Sequence, residues 1–460
     1  MLTYQDFEKV KDKDAEKKEF ALTVVNQHKS SDLFKTAVIA YEYAKHKNVT
    51  ICEYQKLLYT VTGKQVPDRF GANFKMARNF FGFFATQQNQ FLLGNGVSWT
   101  DETTEDKLGT KKKPFDNQLQ KMGINAIIGG VAFGFWNLDH LDVFKVTEFA
   151  PLYDENDGTL KAGVRFWQLA ENKPMRLTLY ELDGYTEYVV NDKEESERIV
   201  EIEKKTKYKQ TIITSKADGV EIIDGSNYPT FPIVPLWANE YHQSELTGIR
   251  EQIDCYDLIK SGFANSVDEA SYIYWILNNA GGMDDVDLAQ FIQRMKTTHA
   301  ATVEDGVTVE SRQAETPSGS RETLLGLLRA DLYSDYMAFD TEAVSSGNVV
   351  QAQIESAYTN INLKADGYEY QVLEFVNGIL DLAEIDDNAT FTRSISINKT
   401  EAIQNILQAA QFLDAEYVTS KILEYLGDGD KAEEMIKKLT SDEMARLAQE
   451  EELNAENEGE

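Results

Sequence analysis

The amino-acid sequence predicts an α+β protein built from several domains. Its 460 residues correspond to two to four domains, at about 100–200 residues each. The middle third contains short segments joined by turn signals, a pattern typical of antiparallel strands. From Gln351 to Glu384, apolar residues recur at helical spacing, which indicates one long helix. Because 42% of the residues are hydrophobic and 11% are aromatic, the chain can bury a core, and disorder of the whole chain is excluded.

The chain is strongly acidic, with 46 Lys and Arg against 77 Asp and Glu and a formal net charge of −31. Sequence-reading nucleic-acid-binding proteins need a basic surface that displaces counterions, so the charge argues against that class. It is compatible with a protein that lets nucleic acid pass without holding it. Residues 241–345 contain seven basic and eighteen acidic residues. After Ser441, eight acidic residues accompany Arg446, which indicates a solvated tail.

Cysteines and targeting signals indicate a protein made inside the cell. Only Cys52 and Cys255 are present, which predicts no disulfide framework and a reducing compartment. Met1–Lys18 lacks the apolar stretch of a signal peptide. The longest nearly apolar run, Gly123–Trp136, is shorter than the roughly 18 residues that a membrane span needs. We therefore expect a soluble protein with no membrane contact.

Helices and hairpins are predicted in the first half of the chain. An aromatic face indicates the first helix, which Gly94-Asn95-Gly96 ends, and two turn signals, Asn156-Asp157-Gly158 and Asp218-Gly219, mark the hairpins. In chain order, the elements are a helix over Ala72–Phe91, a helix over Phe115–Ile128, the hairpin of Phe149–Tyr153 with Leu160–Trp167, and the hairpin of Tyr208–Ser215 with Val220–Ile223.

The second half begins with a proline-rich extended segment that ends at Trp237. The elements predicted after it are a helix around Ile249–Lys260, a β-run at Tyr272–Leu277 closed by Gly281-Gly282, a short helix at Asp287–Lys296, alternating residues Val303–Val309, and a helix over Arg321–Asp340. A strand over Phe391–Ile397 and a helical carboxy-terminal section follow; Asn398 with Glu401 predicts a helix start, Gly427 a helix end, and a further helix begins near Asp430.

The long helix carries one unbroken apolar stripe. Its members alternate spacings of four and three residues and are Ile354, Tyr358, Ile361, Ala365, Tyr368, Val372, Phe375, Ile379 and Leu382. The helix would be about 50 Å long. Gly367 and Gly378 each cost it about 1 kcal/mol relative to Ala, so tertiary packing must stabilise it. We expect a buried core helix rather than a coiled coil.

The sequence contains no signature of catalysis. A Gly-rich phosphate loop ending in Gly-Lys-Ser/Thr, a His-Glu-x-x-His motif and Cys pairs at metal spacing are all missing. Five histidines have no partner nearby in sequence, namely His28, His46, His140, His242 and His299. The stretch around Asp154 has the wrong spacing for a calcium loop and is better interpreted as a hairpin tip. The run Lys111–Lys113 is most simply an exposed loop. No cofactor is expected.

Three acids leave one alternative open. Asp284, Asp285 and Asp287 could hold Mg²⁺ and would then point to a metal-dependent hydrolase. They also lie just before an apolar helix, where carboxylates complement the helix dipole. The second interpretation is favoured, because the helix dipole alone accounts for these acids.

Four segments resemble the portal proteins of tailed bacteriophages, in particular those with long non-contractile tails that infect Gram-positive hosts. They are Asn73–Trp99, with Phe91-Leu92-Leu93-Gly94 at the end of its helix; the Gly-rich run Ile127–Phe135; Pro232–Gly282, with Asp257, Ser261 and Asn265; and the two helices around Ser345-Ser346-Gly347-Asn348. Together they span most of residues 70–425 in the order of that family.

The resemblance implies a ring-forming subunit with a helical stem and crown, a mixed α/β wing and a small α/β clip. The implied divisions are wing 1–240, first stem helix 241–271 with Ser244–Asn265 at its centre, clip 272–316, second stem helix 317–341, tunnel loop 342–350, long wing helix 351–385, and crown with acidic tail 386–460.

The resemblance also implies roles for individual residues. The tunnel loop would contain Glu342, Ser345, Ser346, Gly347, Asn348 and Val349. The channel wall would include Arg321, Arg329, Asp331 and Asp335. The clip would dock partners through Asp287, Arg294, Lys296, Glu304 and Asp305. Arg321 and Arg329 would either form isolated positive rings or pair with Asp331 or Asp335 of a neighbouring subunit.

A portal would be a non-enzymatic channel at one capsid vertex, assembled in the host cytoplasm and retained in the virion. The expected partners are eleven further copies, the terminase large subunit, a head-completion adaptor, the major capsid and scaffolding proteins, and double-stranded DNA that passes without specific binding. Two antiparallel helices around an excursion of about 55 residues favour a protruding arm whose copies pack side by side. An acidic scaffold or minor head protein remains the alternative.

Overall fold

The computed structural model describes residues 2–60, 62–68, 71–101, 103–191, 199–214, 221–270, 274–278, 284–298, 308–312, 318–344, 351–394, 403, 406–426 and 435–438. The chain forms two compact units, Met1–Arg393 and Ser394–Glu460. The predicted α+β class is confirmed.

The helices are α1 (Tyr4–Glu8), α2 (Asp14–Ser30), α3 (Asp32–Ala44), α4 (Val49–Glu53), α5 (Phe80–Leu93), α6 (Thr104–Leu108), α7 (Phe115–Gly129), α8 (Arg250–Ala270), α9 (Asp285–Thr298), α10 (Ser318–Tyr336), α11 (Thr341–Val344), α12 (Gln351–Ala383) and, in the second unit, α13 (Ala415–Leu426). In the part of the chain that the structure describes, none of these helices is long and apolar enough to cross a bilayer.

The strands are β1 (Leu57–Tyr59), β2 (Gln65–Pro67), β3 (Val97–Trp99), β4 (Val131–Asn137), β5 (His140–Lys145), β6 (Phe149–Tyr153), β7 (Leu160–Trp167), β8 (Met175–Glu181), β9 (Gly184–Val190), β10 (Ile199–Thr206), β11 (Lys209–Thr214), β12 (Glu221–Ser226), β13 (Ile233–Trp237), β14 (Tyr274–Asn278), β15 (Thr308–Arg312) and β16 (Ala389–Phe391).

Two antiparallel sheets build the centre of the first unit. One is a five-stranded meander in the order β10-β9-β8-β7-β6, and the other has the order β13-β4-β5. Helices α5, α7 and α12 pack with the three-stranded sheet around the larger hydrophobic core. Helices α1 and α2 cover the meander, with Phe7, Leu22 and Val25 in a second core. Helices α1 and α2 thus form a helical layer on this sheet, whereas α3 packs with α5 and α7 in the larger core.

The apolar stripe of α12 is confirmed as a core stripe. From Tyr358 to Leu382, each of its members is buried, and the side chain of Ile354 lies outside the described residues. Gly378 allows close packing on β13, because a Cβ atom there would lie 3.0 Å from a methyl group of Val234. Tyr368, Val372, Phe375, Ile379 and Leu382 lie in the main core, and Tyr358, Ile361 and Ala365 lie in a smaller cluster with Phe91 of α5. This burial within the first unit confirms the core-helix interpretation.

Both predicted hairpins form. The pairs are β6 with β7, which have the predicted bounds, and β11 with β12, whose connecting turn at Asp218-Gly219 lies outside the described residues. The segment predicted as the clip contains β14, α9 and β15, and β14 pairs antiparallel with β15. Helix α13 ends at Leu426 as predicted, while Asn398, Glu401, Gly427 and Asp430 are outside the described part.

The predicted helix over Ala72–Phe91 is wrong in its first part, since α5 begins at Phe80. Residues 72–79 are extended, and we call them the strap. Their backbone N–H groups bond to side chains of α8 instead of to a helical turn, as described below. The apolar residues around Phe74 have the spacing of a helix. The hydrogen bonds to α8, which is far away in sequence, stabilise an extended conformation instead.

Three other predicted boundaries move. The first helix of the predicted stem begins at Arg250 instead of Ser244, because residues 247–249 form tight turns in which N–H groups bond carbonyls three residues back. Helix α10 ends at Tyr336 instead of Asp340: Met337 has φ of 62°, and the Ala338 N–H bonds the Tyr333 carbonyl at 2.9 Å. The strand predicted from Phe391 ends there, because its partner β3 has only three residues; residues 395–397 are not described.

Candidate functional site

Helices α8 and α10 pack against each other as an antiparallel pair. Near the start of α8, the Gln252 amide donates to Asp335 near the end of α10. Near the other end of α8, the Ser266 hydroxyl accepts a 2.8 Å bond from Arg321, which lies near the start of α10. The chain between the two helices contains β14, α9 and β15. The two helices of the pair are therefore connected through a small α/β segment.

The pair is buried at one end and exposed at the other. Leu332 and Tyr336, in the last turns of α10, are buried in the main core. Earlier on the same helix, Leu324 and Leu327 are 43% and 58% exposed. Because these apolar side chains face solvent in a single copy, this end of α10 has a surface suited to contact with another protein.

A polar stripe on α8 holds the strap. The backbone N–H of Phe74 donates to the Asn265 side chain at 2.7 Å. The N–H of Met76 donates to Ser261, and the N–H of Arg78 donates to Asp257, each at 2.9 Å. All three acceptors are buried. Two residues of extended chain advance about 6.6 Å and four residues of helix about 6.0 Å, so alternate N–H groups match every fourth side chain. We call this arrangement the ladder.

Asp257 is the most strongly buried member of the ladder. It also accepts a bond from the side-chain amide of Asn48, which in turn donates to the Arg78 carbonyl at 3.0 Å. Burial raises the pKa of the Asp257 carboxyl to about 6, while the bonds from Asn48 and Arg78 lower it. The balance leaves the pKa of this carboxyl at about 6, and it depends in part on the bond from the strap.

The predicted channel residues are all within the described helices, and Arg329 has partners in its own subunit. Its guanidinium donates to both carboxylate oxygens of Asp340, at 2.9 and 3.0 Å, and lies 3.0 Å from the Glu342 carboxylate. Asp331 and Asp335 are exposed on α10. In a single copy, the carboxylates that neutralise Arg329 are thus those of Asp340 and Glu342, and a pairing across subunits is not needed for that purpose.

Of the predicted tunnel loop, the structure describes Glu342, which lies in the short helix α11. Ser345, Ser346, Gly347, Asn348 and Val349 lie outside the described residues. Described residues on either side of them, Phe339 and Tyr358, contact the rest of the first unit and each other. The Gln87 side chain donates to the Phe339 carbonyl at 2.9 Å and accepts from the Phe339 N–H at 3.0 Å. The Phe339 ring stacks on Tyr358 of α12, with 4.2 Å between ring centroids. We call these contacts the loop base.

A partly buried polar group joins helices α5, α10 and α12. The Lys364 ammonium of α12 lies 2.7 Å from the Glu245 carboxylate and 3.7 Å from the centre of the Tyr336 ring. The Tyr336 hydroxyl donates to Gln88 of α5 at 2.7 Å, and burial raises its pKa well above the ordinary value. Sequence reasoning missed this group, because Gln88 and Tyr336 are 248 positions apart and neither belongs to a motif.

Among the predicted clip residues, Asp287, Arg294 and Lys296 lie on α9, and Glu304 and Asp305 are outside the described part. The N–H groups of Val286 and Asp287 donate to the Asp284 carboxylate, each at 2.9 Å. The acids at this helix start therefore cap the helix. The described residues contain no group of three or more His, Cys, Asp or Glu side chains arranged to hold a metal ion.

The histidines that the structure describes have structural contacts. His28 is buried, bonds the Val146 carbonyl at 2.7 Å, and has a pKa lowered by burial. His140 contacts Asp139, His242 stacks on Trp237, and His46 bonds the Ala77 carbonyl of the strap. His299 is outside the described residues.

Two further predicted surface features are described. Asp154 accepts hydrogen bonds within its hairpin tip, as predicted. Lys113 forms an ion pair with Asp142.

Comparison with known proteins gives a match over most of the chain. A family model described as "Phage portal protein, SPP1 Gp6-like" matches residues 40–456. A portal protein of Bacillus phage SPP1 is 22% identical over 397 residues, covering 77% of this chain and 73% of that protein. A portal protein of Clostridium phage phiCD119 is 26% identical over 187 residues, covering 38% of this chain and 41% of that protein.

Solved structures with a similar chain come from gene transfer agent particles. One is described as the neck of an empty particle computed with C6 symmetry, with 11% identity, coverage of 74% of this chain and 89% of that chain, and a TM-score of 0.44. Another is the neck of a native particle computed with C12 symmetry, with 13% identity, the same coverage and a TM-score of 0.40.

Proposed function

The chain belongs to the SPP1 Gp6-like family of phage portal proteins, and from this membership we propose that it forms the ring channel through which double-stranded DNA enters and leaves the capsid. The match over residues 40–456 is the observation that carries the proposal. It includes the pair of helices α8 and α10, the long helix α12 and the segment between α11 and α12. In this proposal, twelve copies surround the channel at one vertex of the virion.

The paired helices would form the stem of the ring. Their exposed apolar residues, such as Leu324 and Leu327, would be covered by the neighbouring copy. Twelve copies would bring 12 × −31 = −372 formal charges to the ring. A predominantly acidic wall repels phosphates, so DNA can slide without lasting contacts. Pairing of Arg329 with Asp340 and Glu342 removes one cation from that wall, which supports the same property.

The segment 342–350 would be the tunnel loop that touches the DNA. Its flanks are held together by the loop base, through Gln87 with Phe339 and Phe339 with Tyr358. A loop on a fixed base can change conformation while the subunit stays assembled. The residues from Asp386 onward would form the crown and acidic tail.

The segment of β14, α9 and β15 would be the clip, which projects from the capsid and docks partners. Val286, Leu288 and Ile292 of α9 are exposed apolar side chains near Asp287 and Arg294, a mixture suited to binding another protein. The terminase large subunit would dock here during packaging and a head-completion adaptor afterwards. The motor would supply the energy, so the chain itself needs no catalytic site. Major capsid and scaffolding proteins would contact the wing during assembly in the host cytoplasm.

Electron microscopy of the purified protein tests the proposal. Negative-stain images should show rings with a central hole wide enough for a DNA duplex. A monodisperse monomer at micromolar concentration, or particles without a hole, would overturn it, and the latter result would favour an acidic scaffold. A deletion of Ser345–Asn348 should leave ring assembly intact and block packaging; normal packaging by that variant would refute the tunnel-loop assignment.

A further inference from the structure

Residues 45–79 have a charge opposite to that of the rest of the chain. They contain seven Lys and Arg and two Asp and Glu, whereas the other 425 residues contain 39 and 75. The segment includes α4, the hairpin of β1 and β2, and the strap. We call it the basic arm. Its positive charge is concentrated in 35 residues of a protein whose net charge is −31.

The hairpin of the basic arm exposes apolar side chains on both faces. Leu57, Leu58 and Tyr59 are consecutive residues of β1, all are exposed, and Tyr59 is 72% exposed. Consecutive strand residues point to opposite faces. The sheet has two strands, and a two-stranded hairpin alone is marginally stable in water. This hairpin therefore gains stability when another surface covers it.

The strap continues this surface to a cationic cleft of about 450 Å³. Phe74 and Met76 are exposed along the strap. Arg78 and His46 line one part of the cleft, and Lys260 of α8 lines another. Within the described residues, the lining contains no acidic side chain, and Arg78 and Lys260 form no ion pair. Their charged groups instead lie near aromatic rings, 5.9 Å from Phe80 and 5.7 Å from Tyr256.

We propose that the basic arm docks on an acidic surface of a second copy of this chain, with a carboxylate of that copy entering the cleft between Arg78 and Lys260. Charge complementarity identifies the partner, since the chain outside the arm has an excess of 36 acidic residues over basic ones. The exposed face of α10, with Leu324, Leu327 and Asp331, offers the matching mixture of apolar and acidic groups.

This inference rests on the proposed ring and adds the surface that joins its subunits. A contact between the arm of one copy and a different surface of the next is heterologous, and such contacts close into rings when the rotation allows. DNA would also attract the cations of the arm. It would leave Leu57, Leu58 and Tyr59 uncovered, because phosphates contact charges and not apolar side chains. The apolar exposure therefore favours a protein partner.

Charge reversal in the cleft tests the proposal. The variant R78E with K260E should need at least about tenfold higher protein concentration than wild type for half-maximal assembly, measured by mass photometry over a dilution series. The matched control, K35E with K121E, changes the same total charge at exposed lysines outside the arm and should assemble as wild type. Circular dichroism and thermal melting of both variants check the fold. Equal assembly of R78E with K260E and wild type would overturn the proposal, as would equal losses in both variants.

A photo-crosslinking amino acid at position 58 provides a test that does not disturb the charges. In a mixture of isotope-labelled and unlabelled protein, it should crosslink to an acid-containing peptide of another copy. Crosslinks to added duplex DNA, or only within one copy, would overturn the proposal. If wild-type protein forms no rings, the proposed function fails with it. If wild type forms rings and R78E with K260E does so equally well, only the docking surface is refuted.

Discussion

Helices α12 and α8 are both long, and they are held in the first unit by different interactions. Helix α12 is buried along one apolar stripe, from Tyr358 to Leu382, whose first part lies in a small cluster with Phe91 and whose second part lies in the main core. Helix α8 places Ile253 in the main core and, further along, uses a stripe of buried polar residues, Asp257, Ser261 and Asn265, each bonded to the backbone of the strap. Apolar packing thus stabilises α12 over many turns, from Tyr358 to Leu382, whereas the polar stripe stabilises α8 only where the backbone of the strap is in register.

The largest expected effect is on α12. The change Phe375→Ala removes a fully buried ring that packs against Gly134 of β4, so it should destabilise the first unit by about 3–5 kcal/mol. Thermal unfolding followed by circular dichroism measures the loss. The matched control is Leu363→Ala on the exposed face of the same helix, which should change stability by no more than about 0.5 kcal/mol. Similar losses in both variants would contradict the core role of the stripe.

The next effect concerns the charge of Asp257. Because burial raises its folded-state pKa to about 6, the folded state binds a proton more tightly than the unfolded state, whose pKa is near 3.8. The contribution to stability is present below pH 3.8 and is lost as the pH rises through 6. The stability of wild type minus that of Asp257→Asn should therefore fall by about 2 kcal/mol between pH 4 and 7. Urea unfolding at several pH values measures this difference, and a constant or rising difference would be the opposite result.

A smaller effect is expected at the middle of the ladder. Ser261→Ala removes the acceptor of the Met76 N–H and should cost about 1 kcal/mol, because the exposed strap allows water to replace part of the bond. Hydrogen exchange of the Met76 amide should become several-fold faster, while amides in α12 stay unchanged. Protection at Met76 equal to that of wild type would show that the hydroxyl does not hold the strap.

The smallest effect is expected for an ion pair beside α10. Arg329→Ala removes the two-bond contact with Asp340, which is partly exposed, so the loss of stability should be about 0.5–1 kcal/mol and should shrink in 1 M salt. Thermal unfolding at low and high salt measures it, with Arg329→Lys as the control that keeps the charge. An effect independent of salt would point to lost packing on Tyr333, whose ring lies 4.7 Å from the guanidinium.

The same two helices show what the sequence could predict. The stripe of α12 follows a local period, so spacing alone predicted both the helix and its buried face. The strap could not be predicted in this way, because Phe74, Met76 and Arg78 bond residues 179 to 191 positions away. The only local signal was the polar residues at every fourth position of α8. Likewise, the loop base and the group around Lys364 join distant residues, and each of those residues looks ordinary in sequence.

The mismatch in step length within the ladder limits how far it can extend. Each rung adds about 0.6 Å of misalignment, since extended chain advances slightly faster than four residues of helix. Three rungs keep all bonds between 2.7 and 2.9 Å, but a fourth or fifth would accumulate an error larger than a hydrogen bond tolerates. The ladder is thus limited to about three hydrogen bonds. Related chains that use it should keep the three spacings, and insertions should fall before residue 72 or after the start of α5.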